Sequence, residues 1–305
     1  MSIKDVDKVA QWVEKIISEK ITESYIAMDS LNSKVFIHKS KSSRYITKKY
    51  DIYNNGRIRF NREIYFINFC KDFVPDQIPK ILAYDDSNLL ICQNFIDGNK
   101  LSSSQNLITE IISFISRINQ KTTQSKFNIV SADCMFSLQD LFTEIERRLL
   151  EIQLLKLGSD IKYIPNLERL FLKYKHEFIE NNFNEIFFNK NLKKILSPSD
   201  IGPHNMIFNQ DKCNFIDFEF AGIDSNIKLG CDIITHPDIN FFYYQNDEIN
   251  NIFFDTFNFF PSAVPSSLLN LFHLKWIFLS MKRASKQGRY LNEQEKNFIE
   301  NLYNK

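Results

Sequence analysis

Asp200, Asn205 and Asp217 are the residues of this chain best suited to chemistry. The first two stand in the stretch Ser197-Pro-Ser-Asp-Ile-Gly-Pro-His-Asn205, and the third in the apolar run Phe215-Ile-Asp-Phe-Glu-Phe220. A carboxylate, a carboxamide five residues on and a second carboxylate after a short hairpin are what phosphoryl transfer needs. Asp200 can accept a proton from an attacking hydroxyl. Asn205 and Asp217 offer hard oxygen ligands to magnesium on a nucleotide's phosphates.

Positioning follows from the residues between them. Met206-Ile-Phe-Asn-Gln-Asp-Lys-Cys-Asn-Phe-Ile216 reads as two short strands around a polar turn, which folds Asp217 back toward Asn205. Gly202-Pro203 marks a loop after Asp200. A carboxylate inside an apolar run is costly unless something pairs with it, so Asp217 implies a partner. A cation ligand and a buried salt bridge both satisfy that requirement.

The pattern resembles the catalytic segment of the aminoglycoside phosphotransferase and choline kinase superfamily, small-molecule relatives of the protein kinases. Their H-x-D-x-x-x-x-N loop is matched by Asp200 and Asn205, and their D-F/W-E/D metal segment by Asp217-Phe-Glu219. The histidine position holds Pro198, a departure that bears on loop geometry more than on chemistry. The Ser-Pro-Ser-Asp form is similar to a bacterial branch often associated with surface-polysaccharide genes.

The resemblance implies further residues. Lys48, closing Arg44-Tyr-Ile-Thr-Lys-Lys-Tyr50, would be the strand lysine on the nucleotide's phosphates, with Lys49 facing outward because side chains alternate. A shift of one in register would select Lys49. Glu63, in Arg62-Glu-Ile-Tyr-Phe-Ile-Asn-Phe-Cys70, would pair with that lysine. The helix dipole alone also accounts for a glutamate near a helix start. The turn Asp29-Ser-Leu-Asn-Ser-Lys34 would cover the phosphates, with Asn32 or Ser33 as donors, although turn chemistry favours the same residues. Backbone groups near Gln93 to Phe95 would bind adenine, and Gly98 would end the hinge. Asp232 resembles a carboxylate that anchors a helix. His204 has no histidine partners at ligand spacing and reads as a loop residue. The aromatic run from Phe241 to Phe260 could line an acceptor pocket, but its spacing suits helical core better.

Bulk composition narrows the classes. At 305 residues the chain can bury a large core. Lys plus Arg number 38 against 37 Asp plus Glu, so no net field recruits nucleic acid or anionic lipid. Five scattered cysteines without a C-x-x-C pair fit a reducing cytoplasm and argue against a zinc site or a disulfide scaffold. No signal-peptide core opens the chain, and the apolar stretch Ser267 to Leu279 is interrupted by Asn270, His273 and Lys275, so no membrane insertion is expected.

Along the chain, residues 5–19 have helical spacing, and three β-rich pieces follow at 24–28, 34–38 and 44–48. A helix is predicted over 57–73, then strands at 78–84 and 88–92. Beyond Gly98 the pattern turns helical, first with Leu107, Ile108, Ile111, Ile115 and Ile118 on one face, capped by Ser103 or Ser104. Further helices are expected at about 137–156 and 166–182, and from about 247. The expected fold is α+β and protein-kinase-like, with two lobes. Residues 1–97 form a nucleotide-binding lobe with an antiparallel sheet and a helix, and 98–305 a helical lobe carrying the catalytic loop.

The activity so implied is ATP-dependent, magnesium-assisted phosphotransfer to a hydroxyl of a small molecule, a sugar or amino-alcohol. The alternative is a degenerate kinase-like domain that only binds a nucleotide or a partner, which Pro198 invites. A protein kinase ranks last, since the chain has no glycine-rich loop and no Ala-Pro-Glu segment after Asp217.

Overall fold

The computed structural model describes residues 3–30, 32–53, 55–99, 106–120, 127–155, 157–183, 187–209, 212–237 and 264–303. The aromatic run from Phe241 to Phe260, the Ser103/Ser104 cap and the 247–263 part of the late helical region lie outside them. The chain divides into two compact units, Met1–Asp133 with Leu196–Ile223, and Cys134–Ile195 with Asp224–Lys305.

The first unit is built on a five-stranded antiparallel sheet. Helix α1 (Ile3–Ile17) precedes β1 (Ile21–Asp29), β2 (Ser33–Ser40) and β3 (Arg44–Tyr50). Helix α2 (Gly56–Cys70), β4 (Ile81–Asp85) and β5 (Leu90–Asn94) follow. The strand order is β1-β2-β3-β5-β4. The predicted 78–84 strand begins only at Ile81, after Pro79, which lacks the N–H a ladder requires.

Alternation along the strands sorts the side chains onto two faces. Val9 of α1 packs with Phe36 and Leu90, with Trp12 beside them. Phe60 of α2 packs with Tyr50, Leu89 and Ile91. In the register Lys48 lies opposite Val35 and Ile91, and Ile46 opposite Gln93. Lys48, Tyr50, Ile91 and Gln93 therefore share the face that α2 covers, and Lys49 belongs to the other parity.

The unit is completed by α3 (Asn106–Ile118) and a hairpin, β7 (Met206–Asn209) paired antiparallel with β8 (Lys212–Phe215). Leu107, Ile111, Ile115 and Ile118 of α3 are all buried, as their spacing predicts. Phe114 stacks on Phe215 at 4.1 Å, and Phe66 of α2 stacks on Phe218 at 4.7 Å, so the segment that carries Asp217 is tied to α3 before it and to α2 after it. Gly98 and Asn99 meet β7. The Asn99 and Phe208 backbones exchange N–H···O bonds of 2.9 Å, and a Cβ on Gly98 would strike the Phe208 carbonyl. Two short strands, β6 (Lys194–Ser197) and β9 (Gly222–Ser225), carry the chain between the units.

The second unit is helical. It holds α4 (Leu138–Gln153), α5 (Ile164–Glu180), the single turn α6 (Asn189–Asn191), α7 (Asn226–Thr235), α8 (Ser266–Lys286) and α9 (Glu293–Tyr303). Ser137 and Asp140 form a reciprocal capping box at the start of α4. Leu141, Phe171, Leu271 and Phe278 belong to one large core. Helix α7 starts well before the expected return of helix at about 247. It is buried almost all round, so it shows no amphipathic stripe, and its charges are paired. Lys228 bridges Asp224 (3.0 Å) and Asp232 (3.1 Å), and Lys275 also contacts Asp232. Asp232 thus anchors α7 to α8. No described helix is long and apolar enough to cross a membrane.

Candidate active site

All five residues singled out from the sequence lie in the first unit, and three of them meet directly. Lys48 Nζ donates to both oxygens of Glu63 at 2.9 Å and to Asp217 Oδ1 at 2.7 Å. Lys48 is 7% exposed and Glu63 is fully buried. Burial works to lower the Lys48 pKa, but the charges of Asp217 and Glu63 overcome it and hold the ammonium above its ordinary value.

Glu63 is placed by α2, whose inward stripe is Phe60, Glu63, Phe66, Ile67 and Cys70. One carboxylate in that stripe is tolerable only because every lone-pair direction is used. Oε1 also accepts from Gln93 Nε2 (3.0 Å), and Oε2 from the Tyr50 hydroxyl. Burial first, and then the Glu63 charge, raise the Tyr50 pKa well above that of a free phenol, so its proton stays available for the bond.

Asp200 and Asn205 are set by local backbone geometry. Ser199 takes a left-handed φ of 66°, and around it Asp200 N–H donates to Pro198 O (2.9 Å) while Ser199 N–H donates to Ser197 Oγ (3.0 Å). Asn205 sits in a single 3-10 turn, Pro203–Asn205, and its Nδ2 donates to the Asp200 carbonyl at 2.9 Å. That bond leaves the amide oxygen as the atom able to ligate. The Ile216 N–H donates to Asn205 O (2.9 Å), which fixes the residue before Asp217 against Asn205, as the hairpin pattern predicts. Asp217 itself has a left-handed φ of 68°, a conformation sparsely populated by residues with a Cβ and concentrated at functional positions.

Four contacts were not assigned from the sequence. Glu219, buried, accepts from Asn32 Nδ2 (2.8 Å) in the β1–β2 turn. Burial first and the Asp217 charge next push its carboxyl up to about 7, against the pull of Lys48. His204 Nε2 lies 3.4 Å from Asp200 Oδ2, so the loop histidine touches the candidate base. Tyr50 and Gln93 complete the surroundings of Glu63. Glu219 was legible as the third residue of the Asp217-Phe-Glu segment. The others depend on contacts across the sheet or loop that no local pattern encodes.

The groups able to ligate are carboxylate and amide oxygens, with the Lys48 ammonium between Glu63 and Asp217. Those hard ligands fit a divalent cation such as magnesium better than a softer metal.

A five-stranded antiparallel sheet with α2 on one face, its strand lysine paired to a helical glutamate, and a helical second unit define a kinase-like architecture. The chain is similar in structure to choline kinase LicA from Streptococcus pneumoniae, with a TM-score of 0.64 at 12% identity over 98% of both chains. It is also similar to a choline kinase from Cryptosporidium parvum (TM-score 0.63, 12% identity, 92% of this chain and 87% of that one). A third likeness is to the streptomycin–ATP ternary complex of the phosphotransferase APH(2")-IIa (TM-score 0.58, 17% identity, 98% and 96%). No family model and no curated protein matches the chain. The fold implied by the catalytic-loop resemblance is the fold found, that of the choline kinases and aminoglycoside phosphotransferases.

Proposed function

We propose that this chain is an ATP-dependent phosphotransferase that moves the γ-phosphate to a hydroxyl of a small molecule, a sugar or an amino-alcohol. The observation that carries the reading is Lys48 held between buried Glu63 and the metal-segment carboxylate Asp217. Neighbours in fold are named for choline and aminoglycosides and include an ATP complex, which supports a nucleotide and a small hydroxylated acceptor. In this reading residues 1–97 serve the nucleotide, and 98–305 carry the catalytic loop and the acceptor.

Each residue then has a role. Lys48, kept extended by Glu63, orients the nucleotide's phosphates as a point charge. Asn205, through its amide oxygen, and Asp217 would hold magnesium, which supplies charge neutralisation on the phosphates when bound. Asp200 orients the acceptor hydroxyl and takes its proton. The loop that bears Asp200 is held by Ser197, Pro198 and Asn205, so replacement of the usual histidine by Pro198 does not leave it unsupported. That observation favours a catalytic domain over a degenerate one.

The test is ATP consumption against a panel of choline, sugars and amino sugars. Asp200→Ala should lower turnover by a factor on the order of 10²–10⁴ while magnesium–ATP binding survives. Asp200→Ala and Asp217→Ala proteins that both turned over like wild type on a real acceptor would contradict the assignment.

A further inference from the structure

Lys48 has two anionic partners of unequal standing. Asp217 Oδ1 is the nearer at 2.7 Å, and its side chain is 39% exposed, so it has freedom to follow the lysine. Glu63 is fully buried, with both its Lys48 contacts at 2.9 Å. If Glu63 turned or withdrew, Lys48 would lose the partner that competes with Asp217 and give its whole charge to the carboxylate proposed to take the cation.

Two neutral donors prevent this. The Gln93 amide fixes Oε1 and the Tyr50 hydroxyl fixes Oε2, so each Glu63 oxygen receives one bond from Lys48 and one from a neutral group. Tyr50 and Gln93 are 3% exposed, and they come from β3 and β5, adjacent strands of the sheet. The carboxylate is therefore pinned in rotation as well as in place. Gln93 also opens the Gln93–Phe95 segment expected to meet the base, so its side chain, spent on Glu63, is not a base-reading group.

We propose that Tyr50 and Gln93 are positioning residues that act through Glu63 to divide Lys48 between two carboxylates, and so keep Asp217 available to the divalent cation. This rests on the nucleotide-and-magnesium reading of the site. It assigns to two uncharged residues the apparent cation affinity of the enzyme, a property neither would influence as simple core.

The test titrates magnesium at fixed ATP and follows thermal stabilisation of full-length wild type, Tyr50→Phe and Gln93→Met. Both substitutions nearly conserve volume, and the Tyr50→Phe ring keeps its place against Phe60 and Ile91. Stabilisation by adenosine, without magnesium, serves as the control. Each variant should need about tenfold more magnesium for half-maximal stabilisation, the effect of losing one hydrogen bond to a charged group, with the response of Tyr50→Phe to adenosine unchanged. Should one variant fail to fold, the other decides. An unchanged magnesium midpoint in a folded variant overturns the proposal while leaving the nucleotide site standing. So does an equal loss of the adenosine response in Tyr50→Phe, which marks a merely structural role. A wild type with no magnesium-dependent response to ATP overturns the underlying reading as well.

Discussion

Lys48→Met in the nucleotide-free protein probes how the site is held, and burial sets the size of its effect. The substitution leaves Glu63, fully buried, with two neutral donors and no cation. Breaking a buried pair by removing one partner costs about 3–5 kcal/mol. The Tyr50 and Gln93 bonds that remain place the expectation near the lower end, about 3 kcal/mol. The other half of the contact is different in kind. Asp217 is 39% exposed, solvent screens it, and its pairing with Lys48 should contribute no more than about 1 kcal/mol. Glu63→Gln combined with Lys48→Met removes both buried charges and should recover much of the loss. Double-mutant cycles should therefore give a Lys48–Glu63 coupling of at least about 2 kcal/mol and a Lys48–Asp217 coupling below about 1 kcal/mol. The chain has two tryptophans, so urea unfolding read by Trp12 fluorescence in a Trp276→Phe background reports on the unit that holds the site. Couplings of equal size, or a Lys48→Met loss under about 1 kcal/mol, would refute the argument from burial.

Further expectations follow from other parts of the fold. His38 is fully buried on β2, with Nδ1 2.8 Å from Ser24 Oγ, and burial pushes its pKa down to about 4. Protonation then favours the unfolded chain. Its contribution is complete above pH 6.5 and is lost as the pH falls through about 4, a change of about 3 kcal/mol; urea midpoints of wild type and His38→Gln should diverge over that window, and parallel profiles would count against it. Gly98→Ala drives a Cβ into the Phe208 carbonyl and should cost roughly 1–3 kcal/mol, seen as a fall in Tm. Lys275→Met leaves buried Asp232 with Lys228 alone and should destabilise by about 2–3 kcal/mol, measured by urea unfolding; an unchanged midpoint would show that this pair is not needed.

The sheet, α2 and the β7–β8 hairpin were legible because their patterns are local. The resemblance pointed to Lys48 and left Lys49 one register step away; the pairing of Lys48 with Val35 and Ile91 puts Lys48 on the face that α2 covers. Glu63 came from the resemblance, the helix dipole accounting for it equally well, and its place on the buried stripe of α2 emerges only in the fold. The hairpin turn brought Asn205 to Ile216 as its polar centre required. What stayed hidden was of two kinds. Asn32–Glu219 and Gln93–Glu63 join positions 187 and 30 residues apart, and no periodicity encodes such pairings. Helix α7 escaped because Lys228 and Asp232, polar by type, are buried and paired, which erases the amphipathic signal. His204 lay close enough to Asp200 in sequence to be suspected, but only the 3-10 turn at Pro203 brings the ring to the carboxylate.

The most direct measurement is the thermal shift of wild type and Asp217→Ala with ATP, in the presence and absence of magnesium. At about 100 times the dissociation constant, binding should stabilise wild type by roughly 2.7 kcal/mol, with magnesium required and the effect lost in Asp217→Ala. No shift in wild type with ATP or GTP, or an undiminished shift in Asp217→Ala, would contradict the claim that this site holds a nucleotide through a metal.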